Sequence, residues 1–262
     1  MTPLRLLAVL AHPDDESLGV GGMFAKYAAE GVETSLVTAT RGERGRLGTE
    51  RPGPAILGPI REREVRRAAE ILGVREVVFL DYLDAELDQA PAAEAIGRIA
   101  REVRRLCPQV VVTFPHDGSY GHPDHIAISQ LTGAALVEAM APGPGGEPHR
   151  VDKLYWMAWG VEQWRAYRQA FGDVVAKVDG TVREANTWTD WSITTIVDAR
   201  EYWRQVWRAV QCHESQLPGY KTLAAANDAL HEQIWGCQEF YRVWSFVNGG
   251  RQRENDLFAG LR

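Results

Sequence analysis

Two short clusters of histidine and carboxylate residues stand out in this sequence. The first is AHPDDE at positions 11–16, and the second is YGHPDH at positions 120–125. His12 and Asp15 are three residues apart, a spacing that can turn an imidazole and a carboxylate toward one point, and His125 can add a third ligand. Two nitrogens, one carboxylate oxygen and a water make a four-coordinate catalytic zinc site, although iron(II) or manganese also suits these ligands.

The other polar residues of the two clusters suit acyl chemistry beside such a metal. Asp14 is adjacent to the ligands and free to take a proton from the metal-bound water. His122 and Tyr120 are left as donors toward a developing oxyanion. Asp124 is expected to hydrogen-bond His122 and keep it protonated, because a nearby carboxylate favours the imidazolium.

A purely structural interpretation of these residues competes with the catalytic one. An aspartate beside a proline often marks a turn or a helix cap, so Asp15 or Ser17 could simply cap the following helix. Capping alone does not explain two separate His-Pro-Asp tripeptides, each placed where a strand is predicted to end. The paired clusters therefore favour a functional site.

The first half of the chain alternates strand and helix patterns. Short apolar runs predict strands and amphipathic stretches predict helices, and such an alternation indicates a mostly parallel sheet covered by helices. In an open parallel sheet, ligands bind beyond the carboxyl ends of the strands. If the first and fourth strands are neighbours at the switch point, the two clusters meet there. The predicted strands are 4–11, 32–38, 76–80 and 110–114, and the predicted helices are 17–30, 60–72 and 91–106.

The second half of the chain differs in composition. A Pro/Gly-rich loop at 141–149 separates it from the first half, and all nine tryptophans lie at or beyond Trp156. Strand-like pieces (153–159, 191–197) mix with helical ones (200–213, 223–240). We expect a single domain over 1–262, with a metal-binding core at 1–140. A mixed α/β extension at 150–262 is expected to complete the sheet edge and wall one side of the pocket.

Composition excludes several classes of function. The chain has 262 residues and a net charge of −6, which is no basic footprint for nucleic acid. No apolar run approaches the roughly 20 residues of a membrane span. The three cysteines show no C-x-x-C spacing, so neither a disulfide framework nor a thiolate metal site is expected. The apolar run at 4–11 is a poor signal peptide, and we expect a cytoplasmic protein.

The motifs AHPDDE, Gly21-Gly22 and HPDH resemble the zinc-dependent N-acetylglucosaminyl deacetylases called PIG-L or LmbE-like. The similarity is clear over about 4–135 and weak beyond. It implies a Rossmann-like fold and deacetylation of an N-acetylated sugar. It also implies one zinc ion on His12, Asp15 and His125, with Asp14 as the general base. His122, supported by Asp124, and Tyr120 become the oxyanion partners, and either Asp14 or His122 protonates the leaving amine.

Substrate contacts are predicted at four further positions. The resemblance suggests Glu43 at the pocket rim, Arg61 in an Arg-x-x-Glu pattern and His213 in a late His-x-Ser-Gln element, whereas Asp84 follows the third strand. Each has a structural alternative. Glu43 could be an exposed loop acid, and Arg61 could form a surface ion pair. His213 could be a helix-end histidine, and Asp84 could lie outside the crevice.

Three functions compete at this point. The favoured one is the deacetylation of a compound that contains N-acetylglucosamine. The Trp-rich second half motivates an amidase acting on a larger thiol or antibiotic conjugate. A binding module without turnover is disfavoured, since it needs no general base. The resemblance also raises homo-oligomerisation without fixing a number of subunits.

Overall fold

The first apolar run forms the middle one of the five parallel strands in a seven-stranded sheet. The computed structural model describes residues 3–178 and 180–262. Five strands are parallel and lie in the order β3-β2-β1-β4-β5, so the order reverses between β1 and β4. This arrangement confirms the predicted α/β class. The strands are β1 (Arg5–Leu10), β2 (Glu33–Thr38), β3 (Glu76–Phe79), β4 (Val110–Thr113) and β5 (Lys153–Ala158).

The second half of the chain adds antiparallel strands to this sheet. The last strand, β9, pairs antiparallel with β5 and then with β8, which forms the edge. A separate hairpin consists of β6 and β7. The sheet edge is therefore completed by the second half, as predicted. These strands are β6 (Val175–Val178), β7 (Thr181–Glu184), β8 (Thr195–Asp198) and β9 (Cys237–Ser245).

The helices pack in two groups. One group includes α2, α3 and α8, and the other includes α4 and α6. The helices are α1 (Asp15–Leu18), α2 (Gly21–Ala29), α3 (Pro54–Leu72), α4 (Ala92–Leu106), α5 (Gly118–Gly121), α6 (Pro123–Glu138), α7 (Val161–Phe171), α8 (Trp203–Val210), α9 (Lys221–Ala224) and α10 (Asp228–Trp235). No helix of the described ranges is long and apolar enough to span a membrane.

Two helices of the first half differ from their predicted extent. The predicted helix at 17–30 is interrupted between α1 and α2, where a Cβ on Gly19 would come within 2.9 Å of the Met157 sulfur. The helix predicted from residue 60 begins at Pro54 and contains Pro59. Pro59 removes one hydrogen bond inside α3, yet the helix continues through it, so this proline does not mark the boundary.

The predicted helix at 223–240 is wrong beyond residue 235. Gly236 ends α10, and the chain continues directly into β9. Gln238 and Phe240 are buried while their neighbours Cys237 and Glu239 are half-buried, which is the two-residue period of a strand. The predicted strand at 191–197 and helix at 200–213 are also shorter, forming β8 and α8. The three cysteines are free and half-buried.

A buried carboxylate ties the C-terminal residues to the sheet. Glu254 accepts hydrogen bonds or ion pairs from five side chains, which we call the Glu254 cluster, and its side chain is only 6% exposed. Because every donor comes from the sheet or the neighbouring loop, the cluster anchors the chain end against β5, β8 and β9. The donors are Lys153 (2.7 Å), Tyr155 (2.7 Å), Thr195 (2.9 Å), Arg242 (2.7 Å) and Asn248 (2.6 Å).

Candidate metal centre

The two predicted clusters meet at the carboxyl ends of β1 and β4. These strands are parallel neighbours at the switch point, and His12 follows β1 while His125 lies in the first turn of α6. Candidate ligand atoms of His12, Asp15 and His125 all lie within 4.8 Å of one another, and His12, His122 and Asp124 form an overlapping set. The topology thus brings together residues about 110 positions apart.

The His12 ring is oriented by carboxylates on the side away from this group. Its Nε2 lies 3.1 Å from Asp124 Oδ2 and 3.3 Å from Asp84 Oδ1. Burial alone would lower the pKa of His12, but the hydrogen bonds that its ring donates to these carboxylates and the adjacent Asp15 carboxylate raise it well above its usual value. When Nε2 carries the proton, the Nδ1 lone pair faces Asp15 and His125. A carboxylate behind a ligating imidazole is the usual arrangement at metal sites.

His125 is held by a backbone carbonyl and an aromatic ring. Its Nδ1 lies 3.3 Å from the Gly118 carbonyl oxygen, and its ring stacks on Phe114 with 3.8 Å between centroids. Donation to that carbonyl leaves the Nε2 lone pair pointing at the group. Burial lowers the pKa of His125 to about 3, so the ring is neutral.

The facing donors fit a cation between them. His12 Nδ1 and His125 Nε2 are 3.2 Å apart, and each lies 3.6 Å from an Asp15 carboxylate oxygen. Two nitrogen ligands of a tetrahedral zinc, each at about 2.0–2.1 Å, are separated by roughly 3.3 Å. Burial alone would raise the pKa of Asp15, but the facing imidazoles lower it. A metal that replaces the proton on His12 Nδ1 would face two neutral nitrogens and one carboxylate, the donor set of a catalytic site with an open position.

Asp14 lies beside the ligands in a strained backbone conformation. Its φ is 111°, in a region that favours glycine. Its Oδ2 accepts hydrogen bonds from the Arg61 guanidinium at 3.0 Å and the Tyr220 hydroxyl at 3.1 Å. Burial raises the pKa of Asp14 to about 6 against the opposing charge of Arg61. A carboxylate with a pKa near neutrality can both accept and return a proton.

His122 and Asp124 are related differently from the prediction. The Asp124 carboxylate contacts His12 and the backbone N–H groups of Ala85 and Leu87, and it is the Asp124 backbone N–H that donates to His122 Nδ1, at 3.2 Å. Burial and the neighbouring His12 lower the pKa of His122. His122 Nδ1 therefore accepts from the backbone, and the expectation that the Asp124 carboxylate hydrogen-bonds His122 is wrong.

A cavity of about 430 Å³ opens onto this group. Its polar wall contains the metal-ligand residues with Asp14, Tyr120 and His122. Its other wall is aromatic and comes from the second half of the chain, as predicted. Trp159, Tyr167 and Phe171 form a row whose centroids are 4.9 and 4.6 Å apart, and Phe171 meets Tyr220 at 5.5 Å. The remaining lining residues near this row include Met157, Val174 and Val175.

The four predicted substrate contacts divide into two pairs. Arg61 and Asp84 line the cavity. Glu43 folds onto its own loop, where its carboxylate accepts the Arg41 backbone N–H at 2.9 Å. His213 is fully buried and lies 2.7 Å from Glu16, so it does not reach the cavity. Its position behind the wall differs from the predicted one in contact with substrate.

Sequence reasoning missed Tyr220 and the aromatic row. Tyr220 reaches Asp14 from 206 residues away, and it follows the His-x-Ser-Gln element by only a few residues. Its closeness in sequence to this element is the one signal that could have identified Tyr220. The Trp-rich composition indicated an aromatic wall but not which rings form it.

The chain is similar to known proteins over nearly its whole length. Residues 7–136 match the family model described as PIG-L, GlcNAc-PI de-N-acetylase. A Thermobifida fusca protein named 1D-myo-inositol 2-acetamido-2-deoxy-alpha-D-glucopyranoside deacetylase is 34% identical, covering 99% of this chain and 100% of the relative.

Two solved structures show the same fold at lower identity. N,N'-diacetylchitobiose deacetylase from Pyrococcus horikoshii has a TM-score of 0.68 at 20% identity, covering 92% of this chain and 84% of that one. The 4-carboxy-2-hydroxymuconate hydratase of Pseudomonas putida KT2440 also has a TM-score of 0.68, at 21% identity, covering 94% and 99%. Proteins with this fold catalyse more than one reaction, so the fold alone does not identify the activity. The activity is assigned from the full-length match and the family model. The chain belongs to the PIG-L family and is a metal-dependent deacetylase, a hydrolase of N-acetyl amides.

Proposed function

We propose that the substrate is an N-acetylglucosamine unit joined to a polyol of the inositol type, and that the resident metal is a single zinc ion on His12, Asp15 and His125. The observation that carries this proposal is the donor triad beside Asp14, at the polar end of a cavity that also presents Arg61. The name of the Thermobifida fusca relative supports the sugar and the polyol. The two nitrogens and one carboxylate support zinc.

The residues around the triad supply the steps of an amide hydrolysis. A bound zinc would polarise the acyl carbonyl and lower the pKa of a water molecule. Asp14 takes the proton of the attacking water, and Arg61 and Tyr220 hold its carboxylate in place through their hydrogen bonds. Because its pKa is about 6, Asp14 can then release this proton to the leaving amine.

Two further side chains face the developing charge. His122 presents its Nε2–H, because its Nδ1 accepts the Asp124 backbone N–H. Tyr120 lines the cavity, and burial keeps its hydroxyl protonated by raising its pKa. Both are donors for the tetrahedral oxyanion. This assignment makes Asp14 the proton donor to the amine, because the pKa of Asp14 is raised to about 6 while that of His122 is lowered.

Substrate hydroxyls are proposed to meet Asp84 and Arg61. Asp84 Oδ2 accepts the Arg44 backbone N–H at 3.0 Å and keeps its other oxygen near His12. His12 and Arg44 lower the pKa of Asp84 to about 2 in spite of burial, so it is an anion that can accept hydroxyl donors. Glu43 does not border the cavity, so it is not assigned a substrate contact.

A substrate series tests this proposal. Zinc-loaded protein is incubated with N-acetylglucosaminyl-inositol, free N-acetylglucosamine and N-acetyl-lysine, and acetate release is measured. We expect the highest kcat/KM for the inositol conjugate, at least tenfold above the free sugar. Equal rates on all three would contradict the sugar–polyol assignment. Full activity in protein stripped of metal would contradict the zinc.

The aromatic row favours a second candidate, an amidase of larger conjugates. Trp159 and Phe171 are half-buried and border the cavity, so their faces can stack on an apolar or ring-bearing group. Rates on N-acetyl, N-hexanoyl and thiol-conjugated amides of the same aminosugar distinguish the two. A preference for the bulky amides would favour the second candidate. A cytoplasmic location and homo-oligomer formation stay predictions.

A further inference from the structure

A buried histidine–glutamate pair lies directly behind Asp14. Glu16 and His213 are both fully buried, and His213 Nε2 is 2.7 Å from Glu16 Oε1. The other Glu16 oxygen, Oε2, accepts the backbone N–H of Asp14 at 2.9 Å. Neither side chain borders the cavity, so neither can touch a substrate. The pair instead connects position 213 to the backbone of the residue that carries the reacting carboxylate.

That backbone is where Asp14 is strained. A φ of 111° costs a non-glycine residue on the order of 1–3 kcal/mol unless the surroundings impose it. The hydrogen bond to Glu16 is made by the amide whose orientation this φ sets. On the other side of the residue, Arg61 and Tyr220 bind the carboxylate. Glu16 thus holds the backbone of Asp14, whereas Arg61 and Tyr220 hold its side chain.

The pair is itself fixed by the second half of the chain. The His213 N–H donates to the Val210 carbonyl at 3.1 Å, and the His213 carbonyl accepts from Gln216 and Leu217 at 2.9 and 3.1 Å. The imidazole is therefore held by the turn that follows α8. This turn therefore sets the position of the imidazole against Glu16 Oε1, an oxygen that also accepts from the Ser17 hydroxyl.

We propose that His213 is a positioning residue that acts through Glu16 to hold Asp14 in its left-handed conformation, and so aims the general base at the water. The proposal rests on the assigned role of Asp14. It explains why a histidine-containing element far from both motifs belongs to the site without touching a ligand. Removing the pair lets the Asp14 backbone relax, which misplaces its carboxylate, and a displacement of about 1 Å can cost about 100-fold in rate.

Two substitutions at each position separate positioning from simple stability. His213→Leu and Glu16→Met remove the hydrogen bonds. His213→Gln retains a donor, and Glu16→Gln retains a carbonyl that can accept the Asp14 N–H. His231→Leu is the matched control, because His231 is also buried in the second half and bonds only the Leu223 carbonyl, at 3.0 Å.

The kinetic measurements are kcat, KM and zinc content on N-acetylglucosaminyl-inositol. We expect His213→Leu and Glu16→Met to lose about 100-fold in kcat, with KM within about threefold and zinc retained. The two Gln variants should recover to within about tenfold of the parent. His231→Leu should lower Tm but change kcat less than threefold. Equal kcat losses in His213→Leu and His231→Leu, or loss of zinc in His213→Leu, would overturn the proposal.

A second measurement does not depend on turnover. Hydrogen–deuterium exchange in zinc-free protein reports the Asp14 amide directly. We expect exchange at least tenfold faster in His213→Leu than in the parent and in His231→Leu, and close to the parent in His213→Gln. Unchanged exchange in His213→Leu would refute the positioning role. If no N-acetyl compound is hydrolysed, the proposed substrate fails, and the exchange result still decides whether the pair holds Asp14.

Discussion

The metal centre and the Glu254 cluster both bury carboxylates but differ in what surrounds them. Around Glu254, five side-chain donors surround one carboxylate, so the charge is matched within the protein. In the metal centre, two imidazole nitrogens and the Asp15 carboxylate converge on one point beside a cavity. A proton on His12 satisfies only part of this group, whereas a metal ion can bind all three ligand atoms at once.

This difference separates architecture from function without reference to any motif. A polar cluster that satisfies itself holds the fold together, whereas one with convergent acceptors and an open side is built for a ligand. The two regions should therefore respond in opposite ways to substitution. Changes in the metal centre should affect zinc and turnover, and changes at Glu254 should affect stability alone.

The largest expected effect is loss of a metal ligand. His125→Ala removes one of three protein ligands, so we expect zinc content near zero after dialysis and no measurable acetate release. Metal analysis and a product assay test this. A variant that keeps one zinc per chain would show that His125 is not a ligand.

The next effect is on the general base. Asp14→Asn keeps an acceptor for Arg61 and Tyr220 but cannot take a proton. Turnover should fall by about 10²–10⁴-fold while most of the zinc is retained. Steady-state kinetics with parallel metal analysis measure both, and unchanged turnover would remove Asp14 as the base.

A smaller effect is expected behind the His12 ring. Asp124→Asn weakens the acceptor for Nε2–H, and such partners typically contribute 10–100-fold to metal affinity. Competition with a chelator measures the dissociation constant for zinc. The matched control is Glu254→Gln, which should leave zinc affinity unchanged. Equal affinity in Asp124→Asn and the parent would contradict the orienting role.

The smallest effect concerns acid stability. The pKa of Glu254 is lowered from 4.5 to about 2, because its hydrogen bonds outweigh burial. Above pH 4.5 the ionised Glu254 carboxylate therefore contributes about 2–3 kcal/mol to the free energy of unfolding. This contribution is lost as the pH falls toward 2. Urea unfolding at pH 7 and pH 3 should show a smaller acid loss in Glu254→Gln than in the parent. An equal loss in both proteins would contradict this assignment.

The sequence predicted the part of the site that is local. His12, Asp14 and Asp15 follow a buried strand, and β4 delivers the second motif to the same edge, so chain topology was enough to bring the clusters together. The hydrogen bonds between the side chains of the site were harder to predict from the sequence. Both His122 and His12 are near Asp124, and only the packing of the loop after β3 turns the Asp124 carboxylate toward His12.

The second half was harder because its signals are ambiguous. The apolar residues of 223–240 suit a helix by spacing, yet Gly236 divides the segment into a helix and a strand whose partner lies some 80 residues earlier. Likewise, the His-x-Ser-Gln element marks the region of His213 and Tyr220, but it does not show that they contact Glu16 and Asp14. Such contacts depend on tertiary packing, which a local pattern does not encode.

The left-handed backbone at Asp14 has a consequence for engineering this enzyme. Asparagine adopts that conformation more readily than most residues and keeps an acceptor for Arg61 and Tyr220, so a library selected for thermal tolerance alone should accumulate it at this position. Such a selection would enrich well-folded proteins that bind metal and have lost the reaction. Screens that seek a more robust catalyst should therefore keep Asp14 fixed and look for gains elsewhere, for example in the exposed Trp191.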